Sequence, residues 1–167
     1  TLMPPETDNL RLEELFAADQ KDREKIYAAA EDVSALKARD YERRRETFEM
    51  LGRGEINTSS DLYRAGVLLL HGAEPKEFLA SHRLAVMAAI NGHRPSRWLA
   101  AASLDRFLMS IGLPQTYGTQ FEYNKDENRY QLRLPIDDAS VLHFEKHFFS
   151  VPPVIERLAQ LNKRAQT

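Results

Sequence analysis

The side chains of this sequence that can grip a polar ligand or move a proton lie in three groups, far apart along the chain. Asp19, Gln20 and Arg23 stand in "DQKDR"; His71 precedes Gly72, with His82 beyond it; Asp105 and Arg106 are followed by Gln115, Tyr117, Thr119 and Gln120 in "GLPQTYGTQFEYN". Glutamine, tyrosine and threonine do not titrate near neutrality, so they orient amides, carbonyls or carboxylates rather than carry the proton. Gly118 lets the backbone come close to what they hold. Histidine and aspartate are the types suited to acid–base work. The reading makes His71 with Asp105 the candidate catalytic pair, gives an anionic group to Arg106 or Arg23, and leaves Gln115 and Gln120 to orient it. Asp19, Gln20, His82, Tyr117 and Thr119 complete the expected ligand-binding set.

Spacing gives these choices their physical reason. Trp98, Ala101, Asp105 and Leu108 recur at i, i+3, i+7 and i+10, which places a carboxylate along an apolar helix stripe where it needs a partner. One arginine of "ARDYERRR" is expected to turn inward to meet it, the others forming a solvated face of i,i+4 pairs. His82, Val86, Ala89 and His93 share a face in the same way, and packing is expected to bring His82 towards His71. His93 sits near a helix end, where the dipole alone favours it.

Other chemistries are absent from the pattern. There is no cysteine, no HExxH pair, no G-x-S-x-G elbow and neither phosphate-loop signature, so no metal and no cofactor are expected. The 23 Lys and Arg against 25 Asp and Glu give a net charge of −2, which provides no field for nucleic acid. The longest apolar run is "AGVLLL", far short of the ~18 residues that cross a bilayer, so no membrane partner is expected. The chain opens on Thr1, and the sequence leaves localisation open between a cytoplasmic and an exported protein.

Helices must position these groups. Thr7 or Asp8 is expected to cap a first helix carrying Leu10, Leu12, Leu15 and Phe16, whose apolar stripe "DQKDREK" interrupts. Residues 22–51 read as two helices or one broken one, anchored by Ile26, Val33, Leu36, Phe48, Met50 and Leu51, with Gly52 as C-cap. "NTSS" caps a helix from about Asp61 to His71, and Pro75 opens the next, which runs to Asn91–Gly92. Ser96 is expected to cap the helix that ends at Gly112. "QFEYN" and "RYQLRL" around "KDEN" predict a β-hairpin within 121–134. C-terminal helices fall within 139–163, broken at Pro152–Pro153. The expected class is mainly α: a compact single helical domain over 1–167 with a flexible start at 1–7, a central αα-hairpin and a small β-hairpin after residue 120.

Two resemblances add to this. The alanine-rich pair of helices across "HRPS" resembles one Sel1- or tetratricopeptide-type unit, which implies a non-catalytic scaffold for protein partners as the alternative function. The set Asp19–Gln20 with Arg23, "HG" at 71–72, "RWLAAASLDRFL" at 97–108 and "GLPQTYGTQF" at 112–121 resembles a bacterial family of unknown function. That family is marked by D-Q…R, an H-G helix end, a D-R pair and Q-x-[YF]-G-T-Q-F, and Leu70 stands where many of its members carry glutamine. The resemblance implies a helical domain with Asp19, Gln20, Arg23, His71, Asp105, Arg106, Gln115 and Gln120 among its signature positions. The function expected is a site for a small polar molecule or peptide, with hydrolase- or lyase-type acid–base chemistry as its enzymatic form.

Overall fold

The computed structural model describes residues 7–27 and 33–165. It is mainly α, with helices α1 (Leu10–Tyr27), α2 (Val33–Gly52), α3 (Ser59–Leu70), α4 (Pro75–Ile90), α5 (Ser96–Ser110), α6 (His143–Phe148) and α7 (Val154–Ala165). Strands β1 (Phe121–Asn124) and β2 (Arg129–Leu132) form an antiparallel hairpin in the expected place, with Phe121 opposite Leu132 and Asn124 opposite Arg129. No helix among the described residues is long and apolar enough to cross a membrane.

The main core lies where α1, α2, α3 and α4 meet, and it is built from Leu12, Leu15, Met50, Leu62, Leu68 and Leu84 with small alanines between them. Small residues set the spacing of the central helices. Gly66 of α3 has no side chain, and a Cβ there would stand 3.0 Å from Leu99 Cδ2 on α5. Ser81 of α4 is fully buried and its hydroxyl donates to the Gly66 carbonyl at 2.6 Å, tying an α4 side chain to the α3 backbone. The expected αα-hairpin of α4 and α5 is therefore present, with α3 packed against it.

Ionic contacts fix α1 against α2. Arg11 pairs with Glu46 at 2.8 Å, and at the other end Asp22 pairs with Arg39 at 2.9 Å, an order that runs the helices antiparallel. At the opposite side of the molecule, Asn162 of α7 binds β2 as a further strand would, accepting from the Tyr130 amide at 2.6 Å and donating to its carbonyl at 3.2 Å.

Several boundaries differ from expectation. Asn9, not Thr7 or Asp8, caps α1 by accepting from the Leu12 amide at 3.0 Å, while Asp8 binds Thr58 and Arg64. Leu10 is exposed. Helix α1 runs on through "DQKDREK" to Tyr27, past the expected start of the next helical stretch at Asp22, because its charged residues pair with α2. Gly52 remains helical, and the left-handed turn falls on Gly54, at φ +69°. Pro95 takes the cap position before α5, and the buried Ser96 hydroxyl instead meets His93 Nδ1 at 2.8 Å. Phe48 is exposed rather than anchoring, and Leu142, Phe144 and Phe148 of the C-terminal region are exposed as well. The side chains of Ile26 and Val33 and the start at 1–6 lie outside the described residues.

The close approach at Gly66 makes a direct prediction. Gly66→Val must force Leu99 aside, and equilibrium denaturation should show a loss of about 1–3 kcal/mol; unchanged stability would show that α3 and α5 are not held at the spacing described.

Candidate functional site

The three sequence groups resolve into two polar assemblies joined through Arg106. The first centres on Asp19, whose side chain is 1% exposed. A carboxylate so placed must be met by donors or shed its charge. Gln20 Nε2 donates to its Oδ2 at 2.9 Å, while Arg23 Nη2 and His71 Nδ1 approach its Oδ1 at 3.1 and 2.9 Å. Burial pushes the Asp19 pKa up, but the His71 hydrogen bond, the charge that His71 carries when protonated and the charge of Arg23 outweigh it and hold the carboxyl below its usual range. An ionised carboxylate only accepts, so the proton of the contact sits on His71 Nδ1. Among the described residues His71 Nε2 has no hydrogen-bond partner, on a side chain that is 20% exposed.

A buried ionic network extends this assembly into α2. Arg23 Nη2 also donates to Asp40 Oδ2 at 2.6 Å, Arg43 donates to Asp40 at 3.0 Å, and Arg43 also bonds Asp22. Burial raises the Asp22 pKa, yet Arg39 and Arg43 outweigh it and bring it from 3.8 to about 2. Arg44 binds Glu77 at 2.8 Å and the His71 carbonyl at 3.1 Å, and Glu77 receives the Ala73 and Glu74 amides at 2.7 and 2.9 Å. The turn between α3 and α4 is thereby fixed from both sides. Gly72 is required in it, because a Cβ would run into the Glu77 carboxylate.

Asp105 anchors the second assembly. It is fully buried; its Oδ1 accepts the Thr116 and Tyr117 amides at 2.7 and 2.9 Å, and its Oδ2 accepts the Thr119 amide and hydroxyl at 3.0 and 2.7 Å. Gln115, also fully buried, donates to the Gln120 carbonyl at 3.1 Å and to the Arg133 carbonyl, and accepts the Gln120 amide at 2.9 Å. Gln120 donates to the Ala102 carbonyl at 3.1 Å and accepts from Arg106 Nε at 3.0 Å. Tyr117 donates to Glu145 at 3.1 Å, and burial together with that carboxylate pushes its pKa up to about 12. The loop is held by its own polar side chains.

Arg106 connects the two assemblies. Its Nη1 donates to the Leu70 carbonyl at 2.6 Å, next to His71, and its guanidinium lies 5.8 Å from the Phe78 ring centre. Its partners are neutral. Burial, then the charges of Arg23 and Arg133, lower its pKa to about 10, and it remains a cation at neutral pH. Beside it opens a recess of about 430 Å³, floored by Gly72 and Ala73 and walled by Phe78, Arg106, Gln120 and Arg133.

The placement corrects the expected pairing. His71 is bonded to Asp19 rather than to Asp105, whose four donors all come from residues 116–119. Among the described residues no arginine pairs with Asp105; Arg43 and Arg44 do turn inward, but to Asp22, Asp40 and Glu77. His82 is bonded elsewhere, its Nδ1 donating to the Ala100 carbonyl at 2.9 Å. Gln115 and Thr119 are committed to the loop. Sequence reasoning missed Asp22, Glu77 and Arg133; the Asp19–Asp22 spacing on α1 was the available signal for the first, and nothing local marked Arg133. Among the described residues no group of three His, Asp or Glu side chains is placed to hold a metal ion. A scan of protein-family models, a search of curated proteins and a search of solved structures each returned no match.

Two predictions rest on these carboxylates. Asp105→Asn retains one acceptor oxygen against donors on both sides, so denaturation should show a loss of about 3 kcal/mol; a neutral substitution would contradict the loop's dependence on the charge. For Asp22 the folded pKa is depressed, so its contribution is full above 3.8 and is lost as pH falls through about 2. Stability measured against pH should decline less steeply across that window in Asp22→Asn, and an unchanged slope would show that Asp22 is not paired.

Proposed function

We propose that the protein binds a small polar ligand in the recess beside Arg106 and that His71 exchanges a proton with it, in a hydrolase- or lyase-type reaction. The observation that carries this is the Asp19–His71 contact. A carboxylate on Nδ1 fixes the imidazole's tautomer and orientation, leaving Nε2 as the working nitrogen. His71 does not itself line the recess; it is joined to it through the chain, standing between Leu70, whose carbonyl Arg106 grips, and Gly72, which lines the recess, and the ligand must reach Nε2 from that end. Arg106 binds the ligand, Gln120 keeps Arg106 in place, and Asp105 acts as a positioning residue through the loop that carries Gln120.

A second reading has its own support. Val86, Ala89, Ile90, Ala100, Phe148 and Phe149 line an apolar groove of about 270 Å³ beside α4, with Ile90 and Phe148 exposed. A helical scaffold would use that face for a protein partner and would require no proton transfer.

Turnover of a panel of small esters, amides and hydroxy acids separates the two readings. His71→Asn should lower kcat by about 100-fold or more at a temperature where denaturation shows the variant, though less stable, still folded. Turnover unaffected by the substitution would remove His71 from the chemistry, and loss of a captured protein partner in Ile90→Glu with no turnover in the parent would favour the scaffold.

A further inference from the structure

The recess narrows the chemistry of its ligand. Two guanidiniums line it, from Arg106 and Arg133, and no carboxylate does. Among the described residues neither is paired with an acid. Arg133 is fixed through its backbone, its amide donating to the Gln120 carbonyl at 3.0 Å and its carbonyl accepting from Gln115, while its exposed head stays unpaired. Arg106 commits Nε and Nη1 to the Gln120 and Leu70 oxygens, leaving Nη2 unbonded. Burial first, and then the like charges of Arg23 and Arg133, depress the Arg106 pKa, and an anion in the recess would relieve both. Arg23 is already answered by Asp19 and Asp40, so the uncompensated pair is Arg106 and Arg133.

We propose that the recess takes the phosphate of a small phosphomonoester, held by the fork of Arg133 and by Nη2 of Arg106, with the organic group against Phe78 and Phe121. A carboxylate brings one charge where two are unanswered. A phosphomonoester brings about −1.5 to −2 near neutrality, and its three terminal oxygens suit a bidentate fork plus a single donor. Phe78, Phe121 and Met109 give the rest of the recess an apolar lining that free phosphate does not use. The inference rests on the preceding reading only for the ligand's location, and it names the class of molecule that His71 would act upon.

Isothermal titration of the full chain in low salt with phenyl phosphate, phenyl sulfate, benzoate and inorganic phosphate tests it. Phenyl phosphate should bind about tenfold or more tightly than phenyl sulfate, a monoanion of the same shape, and than the other two. Arg133→Gln, a change on an exposed side chain, should weaken phenyl phosphate about tenfold with an unchanged Tm. Equal affinity for phosphate and sulfate, inorganic phosphate as tight as the ester, no binding, or an indifferent Arg133→Gln would each overturn the proposal. His71→Asn separates this proposal from the acid–base reading. Phenyl phosphate affinity should survive that substitution, and binding without turnover in the parent would sink the acid–base reading while the phosphate site stands. Turnover confined to unphosphorylated substrates would do the reverse.

Discussion

A carboxylate buried at the junction of helices is the constraint from which the functional half of this protein follows. Asp19 is almost wholly enclosed, yet stays ionised because donors from its own helix and from the end of α3 converge on it. Removing any one of them would leave charge in a poorly solvated place, and that penalty is what holds α1 against the α3–α4 turn. The same contacts set the chemistry. By taking the proton side of His71 Nδ1, Asp19 turns the other ring nitrogen into the free one. Structural necessity and proton handling thus share a single contact.

Asp105 meets the same problem by a different route. Four hydrogen bonds from one short loop saturate it, so it has no valence left for a ligand and serves to shape residues 115–120. That shape puts Gln120 where it can hold Arg106, and Gln115 where it fastens the chain ahead of Arg133. The loop acts as a rigid mount for two cations. Catalytic potential in a buried carboxylate depends on whether its partners are themselves reactive: amides and a hydroxyl around Asp105, an imidazole beside Asp19.

Much of the frame was legible in the sequence because its signals are local. Thr58 as a cap, Pro75 at a first turn, the turn at Gly112 and the β-hairpin all rest on neighbouring residues, and they appear where expected. The polar positions were legible as a set, since Asp19, Gln20, Arg23, His71, Arg106, Gln115 and Gln120 all take part in the two assemblies. Their partners were not. The pairing of His71 with Asp19 rather than Asp105 depends on how α1 lies against the end of α3, a long-range choice that periodicity within one helix does not encode. The boundary expected at Asp22 fails for the same reason: the charges of "DQKDREK" interrupt an apolar stripe, but Arg39 and Arg43 arrive from α2 to meet Asp22, and the helix runs on to Tyr27. Arg133 had no local signal, because its relevance comes from a recess assembled by residues distant in sequence.

The central claim, that Asp19 holds the Nδ1 proton of His71 and leaves Nε2 free, is tested most directly by nitrogen NMR of the labelled imidazole. At a pH where His71 is neutral, its Nδ1 should show the protonated shift, with coupling to a hydrogen-bonded proton, and its Nε2 the unprotonated shift. The opposite tautomer, or a ring averaging freely between the two, would contradict the account.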